Sequence, residues 1–473
     1  MRIERPIVEA LTTFIKDNPT SLHVPGHKNG LLSHLPSVIK ESLRYDLTEL
    51  PGLDDFHHPE EAIKEAELLL AQTYGADASF FLVNGSTVGN LAMIYAVCQS
   101  NDTIIVQRNA HKSIFHAIEL VGVEPVYISP EWDEVTKTAS HIETATLEQA
   151  LRLYPHAKAV VFTTPTYYGL VNECLEEQIK LCHTLNIPVL IDEAHGAHFV
   201  ASNHFPKSAL QLGADIVVQS AHKTLPAMTM GSFLHVRSNL INIEKVNHYL
   251  RMLQSSSPSY LIMASLDDAR QYVATYLESD YKYFLEKREH FINAIKLIKG
   301  LDIVEVHDPL KLLLRVPGYS GFDLKDVLKE QNIYVELADM EQVLIILPLL
   351  KQGVAYPFTL LRTRIKDAIA KLLKLPRQQK VPLLMQFENQ KVSKPITSIT
   401  EARHSEKEWI PYTKAIGRIS AELIIPYPPG IPLFVVGEKI TVGKLAYLTE
   451  LLTYGAEFQG NHQLQEKRIC VLK

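Results

Sequence analysis

The sequence predicts an α/β fold built on a mostly parallel sheet, and three observations carry that expectation. Short apolar runs rich in Val, Ile and Phe alternate with helix-length stretches from about residue 60 to 240. That alternation describes a sheet covered on both faces. The runs end at Asn84, Asp192 and Ser220, and ligands of such sheets bind beyond the carboxyl ends of the strands.

The strand-like runs are 80–83, 103–106, 125–128, 159–163, 188–191, 215–218 and 232–236, with helical sequence at 88–99 and 173–185 between them. A long helical stretch, about 260–297, leads away from this first part. A second α/β unit follows, with strands at 312–316 and 344–347 around a helix at 323–330. The pattern changes again near Pro382, and 424–430 (Ile-Ile-Pro-Tyr-Pro-Pro-Gly) is too proline-rich for a helix or a central strand. Three parts are expected: 1–258, a large ligand-binding domain with its N-terminal segment; 259–380, the long helix and a small α/β domain; and 381–473, a C-terminal domain.

The chain has 473 residues, enough for two or three domains, with ordinary hydrophobic and charged content. A net charge of −6 argues against nucleic acid or an anionic membrane as the main partner. The four cysteines have no Cys-x-x-Cys spacing and read as buried thiols of a reducing compartment. No apolar run is long enough to span a bilayer, so a cytoplasmic protein is expected.

Three motifs carry chemistry. Asp192 ends the apolar Pro-Val-Leu-Ile run, and a buried carboxylate there needs a cationic or hydrogen-bonding partner. Lys223 follows the next run, in Ser220-Ala-His-Lys, where Ser220 and His222 can reach an anion beside the lysine. Asn84-Gly-Ser86-Thr87 precedes a helix, so hydroxyls and backbone N–H groups converge on an anion. Singly, each has an ordinary alternative: a solvated aspartate, a surface lysine, an N-cap. Together they supply what pyridoxal phosphate needs, namely a lysine for its aldehyde, a carboxylate for its pyridine nitrogen and a cup for its phosphate. His111, after the 103–106 strand, is placed to stack on such a ring. Asp-Glu-Ala-His (192–195) also mimics a helicase motif, but the chain has no Gly-x-x-x-x-Gly-Lys-Ser/Thr loop. His23 and His27 are separated by Pro-Gly, and His195 and His198 lack further ligands, so no metal is assigned.

These motifs, with His23-Val-Pro-Gly-His-Lys-Asn-Gly30, the acidic stretch 46–55, Arg108-Asn-Ala-His-Lys112, Ser255-Ser-Ser-Pro258, Val335-Glu336 and Ile425-Pro-Tyr-Pro-Pro-Gly430, resemble the bacterial ornithine/lysine/arginine decarboxylases. The resemblance covers nearly the whole chain. It implies a pyridoxal-phosphate-dependent enzyme of the aspartate-aminotransferase fold type I, with a large mostly parallel domain, a small α/β domain and a C-terminal α+β domain. It also implies Lys223 as the Schiff-base lysine, Asp192 on the pyridine nitrogen and His111 stacked on the ring. Ser86, Thr87, Ser220 and His222 would hold the phosphate, with His195 beside the cofactor. Proton return to the substrate falls to Lys223 or His222. Family members form the site between two subunits of a homodimer, where the partner's hydroxyls at Ser256 and Ser257 would help close it. Glu336 falls where an acidic residue receives the substrate's distal cation.

Several departures resemble the short-form subfamily. His23 comes too early to leave room for a response-regulator-like domain, and Val88 replaces a third small hydroxyl. Ala221 replaces threonine, and His195 stands where some members carry tryptophan. The implied reaction converts arginine, lysine or ornithine to agmatine, cadaverine or putrescine plus carbon dioxide, a step toward polyamines. Two alternatives stay open: an aminotransferase or aldolase of the same fold, for which Arg315 is the candidate carboxylate binder, and an inactive relative.

Overall fold

A computed structural model of the chain describes residues 4–377, 391–427, 431–460 and 463–473. The pattern change expected near Pro382, and residues 428–430 of the proline-rich stretch, lie outside the described residues. The chain forms two compact units, Met1–Val97 with Ile179–Leu277, and Cys98–Gln178 with Glu278–Lys473.

The first unit is built on four strands in the order Ala78–Leu82, Ser232–Val236, Ile216–Gln219, Val189–Asp192. Every residue of the last three is buried, which is why they read as continuous apolar runs. Val189–Asp192 runs parallel to Ile216–Gln219, setting Asp192 beside Val218. Ser232–Val236 is antiparallel to both of its neighbours, so the sheet is mixed. The cause is the short connection before it. Residues 220–231 hold only the single turn Ala221–Thr224, too little for the crossover a parallel pair needs.

Helix Gly85–Val97 lies against these strands. A Cβ on Gly89 would sit 2.8 Å from side-chain carbons of Leu82 and Val218, so glycine lets the helix approach this closely. The N-terminal helix Pro6–Lys16 is tied to helix Tyr260–Ala274 through buried Asp267, which accepts from the Ile7 N–H at 3.0 Å and pairs with Arg270 at 2.8 Å. The single helix expected over 260–297 is instead two, Tyr260–Ala274 and Glu278–Lys296. Thr275 ends the first. Its hydroxyl and its N–H both turn back onto the Gln271 carbonyl.

The second unit holds strands in the order Val160–Thr163, Thr103–Gln107, Glu124–Ile128, Val392–Ser393. The first two pairings are parallel, and the last is antiparallel. A separate sheet, in the order Asp302–Glu305, Lys311–Arg315, Val343–Ile346, Leu337–Ala338, is antiparallel throughout. It packs with helices Gly321–Glu330 and Phe358–Leu372 around Phe291, Leu312, Leu328 and Ile369. The small part is therefore helix-on-antiparallel-sheet, not a parallel unit, because the hairpin 306–310 joins neighbouring strands directly. Ile425–Tyr427 pairs with Glu457–Gln459 in a two-stranded ribbon, where Pro426 occupies no central strand.

One buried cluster ties this unit together. Arg108 ends strand Thr103–Gln107 and donates to both carboxylate oxygens of Glu438, at 3.0 and 2.9 Å, and to the carbonyls of Pro432 and Leu433. Its guanidinium lies over the Phe115 and Tyr127 rings. Lys444 donates to the same carboxylate at 2.8 Å. Burial would raise the Glu438 carboxyl, but the adjacent Arg108 and Lys444 charges outweigh it and hold the group below the usual range.

Candidate active site

The first unit gathers most of the residues singled out in the sequence. Lys223 sits in the turn Ala221–Thr224 that follows strand Ile216–Gln219, and its N–H is bonded to the Ser220 carbonyl at 3.1 Å. Its Nζ lies 3.0 Å from Nε2 of His195, which comes from the turn after Asp192. If Lys223 is an ammonium, it donates and His195 Nε2 accepts.

Asp192 is 2 % exposed. One carboxylate oxygen accepts from Asn90 Nδ2 at 3.0 Å, the other from the Ala194 N–H at 3.1 Å. Burial raises its carboxyl above the ordinary value, partly opposed by the Lys223 charge and by these two donors. A carboxylate held this way gains from a further N–H donor.

The anion cup is assembled from two strand ends. Gly85, at φ +79°, opens helix Gly85–Val97, so Ser86 and Thr87 occupy its first turn rather than a preceding loop. Ser220 Oγ donates to Ser86 Oγ at 2.8 Å, which brings the two hydroxyls to one point at a helix N-terminus. Thr87 beside them is exposed. His222 is anchored to Gly231, whose carbonyl accepts from its backbone N–H at 3.1 Å and from its ring Nδ1 at 3.0 Å.

The remaining candidates lie elsewhere. Ser256 and Ser257 are exposed in the single chain, and their turn is moored by the Ser255 N–H to Asn84 Oδ1 at 3.2 Å and by His57 to the Ser255 carbonyl at 2.8 Å. His111 belongs to the second unit, where it caps helix Lys112–Val121 and its Nδ1 meets Ser113 Oγ at 2.8 Å. Glu336, also in the second unit, is exposed and lines a cavity of about 250 Å³ with Val335, Ile345, Leu361 and Ile365. From the N-terminal motif, His27 spans Asp46 Oδ2 and the Gly30 N–H, each at 3.2 Å.

Asn90, Glu193 and Gln219 escaped the sequence reading. Each is a polar residue within or at the end of an apolar segment and 0–1 % exposed. That pattern was visible, but the partner that makes each useful was not.

The fold is that of the fold type I class of pyridoxal-phosphate-dependent enzymes. Residues 5–309 match the family model "Orn/Lys/Arg decarboxylase, major domain", and residues 379–465 match "Orn/Lys/Arg decarboxylase, C-terminal domain". The chain belongs to this family and is a decarboxylase. It is 45% identical to the uncharacterized protein YaaO of Bacillus subtilis, with 98% of each chain covered. It is 35% identical to the arginine decarboxylase of the same organism, covering 99% of this chain and 98% of that one. Among solved structures, the constitutive lysine decarboxylase of Escherichia coli superposes with a TM-score of 0.80 at 21% identity, over 100% of this chain and 82% of that one.

Proposed function

We propose that this chain binds pyridoxal phosphate and removes the α-carboxylate of a basic L-amino acid, with arginine, lysine and ornithine as the candidate substrates. The observation that carries the reading is the convergence in one unit of Lys223, buried Asp192 and the paired Ser86 and Ser220 hydroxyls. Bound pyridoxal phosphate would supply the electron sink for the carbon that loses carbon dioxide. Asp192 would hold a proton at the pyridine nitrogen. Ser86, Thr87, Ser220 and His222 would orient the phosphate, and His111 would face the ring. Lys223 Nζ, in contact with His195, would hold and return the proton to Cα, with His222 as the second candidate donor.

Arg315 bears on the aminotransferase alternative. Its Nε donates to Gln342 Oε1 at 2.7 Å, and its two terminal nitrogens donate to the Val135 and Thr136 carbonyls at 2.8 and 2.7 Å. A guanidinium so engaged is poorly disposed to bind a substrate carboxylate.

Glu336 is proposed to receive the distal cation, since it is an exposed carboxylate lining a cavity whose other lining residues are mostly apolar. The acidic 46–55 stretch offers less. Asp54 accepts from the N–H groups of Glu60, Glu61 and Ile63, each at 2.9 Å. Burial would raise its carboxyl, yet the backbone N–H groups of Glu60, Glu61, Asp55 and Lys64 bring it below the usual value. A substrate filling the cavity would cover the Glu336 carboxylate, and removing one partner of a charge pair desolvated in that way costs roughly 2–5 kcal/mol. Carbon dioxide release should therefore be measured on arginine, lysine and ornithine for wild type and Glu336→Gln. A preferred basic substrate whose KM rises steeply in the variant is expected. Release from none of the three by cofactor-loaded wild type overturns the proposed activity.

We further propose a cytoplasmic homodimer in which Ser256 and Ser257 act on the partner's site, and the three-part division at 258 and 380 given above. The exposure of both serines in the single chain supports the shared site. Sedimentation at assay concentration should return a dimer or a higher homo-oligomer, and an active monomer counts against it.

A further inference from the structure

Glu193 follows Asp192 directly, but consecutive side chains leave a strand end in opposite directions, and its partners are different. It is 1 % exposed. Oε1 accepts from the Ala209 N–H at 2.7 Å, and Oε2 accepts from Ser208 Oγ at 2.9 Å and Gln219 Nε2 at 2.6 Å. None of these donors is a lysine or arginine. Burial pushes the Glu193 carboxyl up to about 7, against the pull of the three donors.

The bond to Gln219 is one link of a longer chain. Gln219 Oε1 meets His235 Nε2 at 3.2 Å, and His235 Nδ1 meets Ser79 Oγ at 2.8 Å. Burial pushes His235 down to about 3, so its ring is neutral at physiological pH. A neutral ring that donates from Nε2 to the amide oxygen accepts at Nδ1 from the serine. Ser79, His235 and Gln219 stand on the three successive strands next to Val189–Asp192, whose end Glu193 extends. The hydrogen bonds thus cross all four strands and all point toward Glu193, an arrangement in which each bond strengthens the next. The two strand ends it joins last carry Asp192 and His195 on one side, Ser220 and Lys223 on the other. The turn bearing His195 also rests on this side chain: a Cβ on Gly196 would fall 2.6 Å from Glu193 Cγ, and the Gly196 N–H bonds the Glu193 carbonyl at 2.9 Å.

We propose that Glu193, through Gln219, is a positioning residue that fixes the spacing between Asp192 and Lys223 and seats His195 against Lys223 Nζ. This rests on the reading of Asp192 and Lys223 as the cofactor residues. In Glu193→Gln an amide N–H faces donors, whereas the double variant Glu193→Gln/Gln219→Glu restores a donor opposite an acceptor and still offers His235 a carboxylate oxygen.

The test is pyridoxal phosphate titration of the cofactor-free full-length chain, following visible absorbance and the pH midpoint of the band. Glu193→Gln is expected to weaken cofactor retention by about ten-fold or more, the scale of an unsatisfied buried polar group, and to displace the midpoint. The double variant is expected to recover both. Wild-type retention and midpoint in the single variant overturn the proposal, as does a double variant that recovers neither, including one that no longer folds. Lys223→Ala, run alongside, separates the two readings. If it keeps the visible band, the cofactor assignment has failed. If it loses the band while Glu193→Gln behaves as wild type, only the positioning role has failed.

Discussion

Lys223→Ala is expected to lose both the visible band of the lysine-linked cofactor and turnover, the latter by roughly three orders of magnitude or more. The residue has two tasks on one nitrogen. In the proposed function it would anchor the aldehyde, and its Nζ, 3.0 Å from His195 Nε2, would carry a proton to the substrate. Alanine removes both while leaving the turn intact, because the backbone bond from residue 223 to the Ser220 carbonyl does not involve the side chain. The variant should therefore fold and still retain some cofactor through Asp192 and the Ser86–Ser220 cup. An absorbance scan and a carbon dioxide assay on the same preparation check it. A variant that keeps its colour and its rate removes Lys223 from the site.

Asp192→Asn should behave in the opposite way on the two axes of activity and stability. An amide cannot hold a proton on the pyridine nitrogen by charge, so turnover should fall by roughly 10²–10³, the range for losing one preorganised electrostatic contact. Stability of the cofactor-free protein should not fall, provided that Asn90 turns its amide oxygen toward the new N–H while the oxygen of the new amide keeps accepting from the Ala194 N–H. Burial raises the Asp192 carboxyl above its unfolded value, so the native state binds this proton more tightly than the unfolded chain does. The ionised carboxylate consequently subtracts from stability as pH rises from the ordinary aspartate range to the raised value. At neutral pH the isosteric amide removes that cost. Thermal unfolding of cofactor-free wild type and variant, beside their rates, gives the answer. Near-normal turnover marks Asp192 as a structural carboxylate.

The strands of the large part were legible because they are buried on both faces, and burial writes itself into a sequence as uninterrupted Val, Ile and Leu. All seven runs became strands. Direction was not legible: nothing in 232–236 distinguishes a strand that returns antiparallel from one that does not, and only the brevity of 220–231 hinted at it. The break at Thr275 was hidden because both flanking segments are good helices, and the stop is made by a hydroxyl turning onto a carbonyl. Lys223, Asp192 and the Ser86–Thr87 turn could be put forward from the sequence as candidate chemistry, since each is a reactive, hydroxyl or charged type near a strand end. Their supports were not. Asn90 matters through Asp192, and Glu193 through Gln219; Arg108 was noted as part of a motif, but its partner is Glu438, a residue 330 positions away.

That separation has a consequence for how the protein is made. A ribosome adding roughly 5–20 residues per second delivers Glu438 about 15–65 s after Arg108. Through that interval the guanidinium and the Phe115 and Tyr127 faces beneath it wait without their carboxylate. The unit bearing Lys223, its own long link from Ile7 to Asp267 included, is complete by Leu277 and can close while synthesis continues. Translation arrested between 277 and 438 would thus leave a nascent chain with Lys223 in a finished unit and the Arg108 segment still unclasped, a species for chaperones and proteases to recognise by its second half alone.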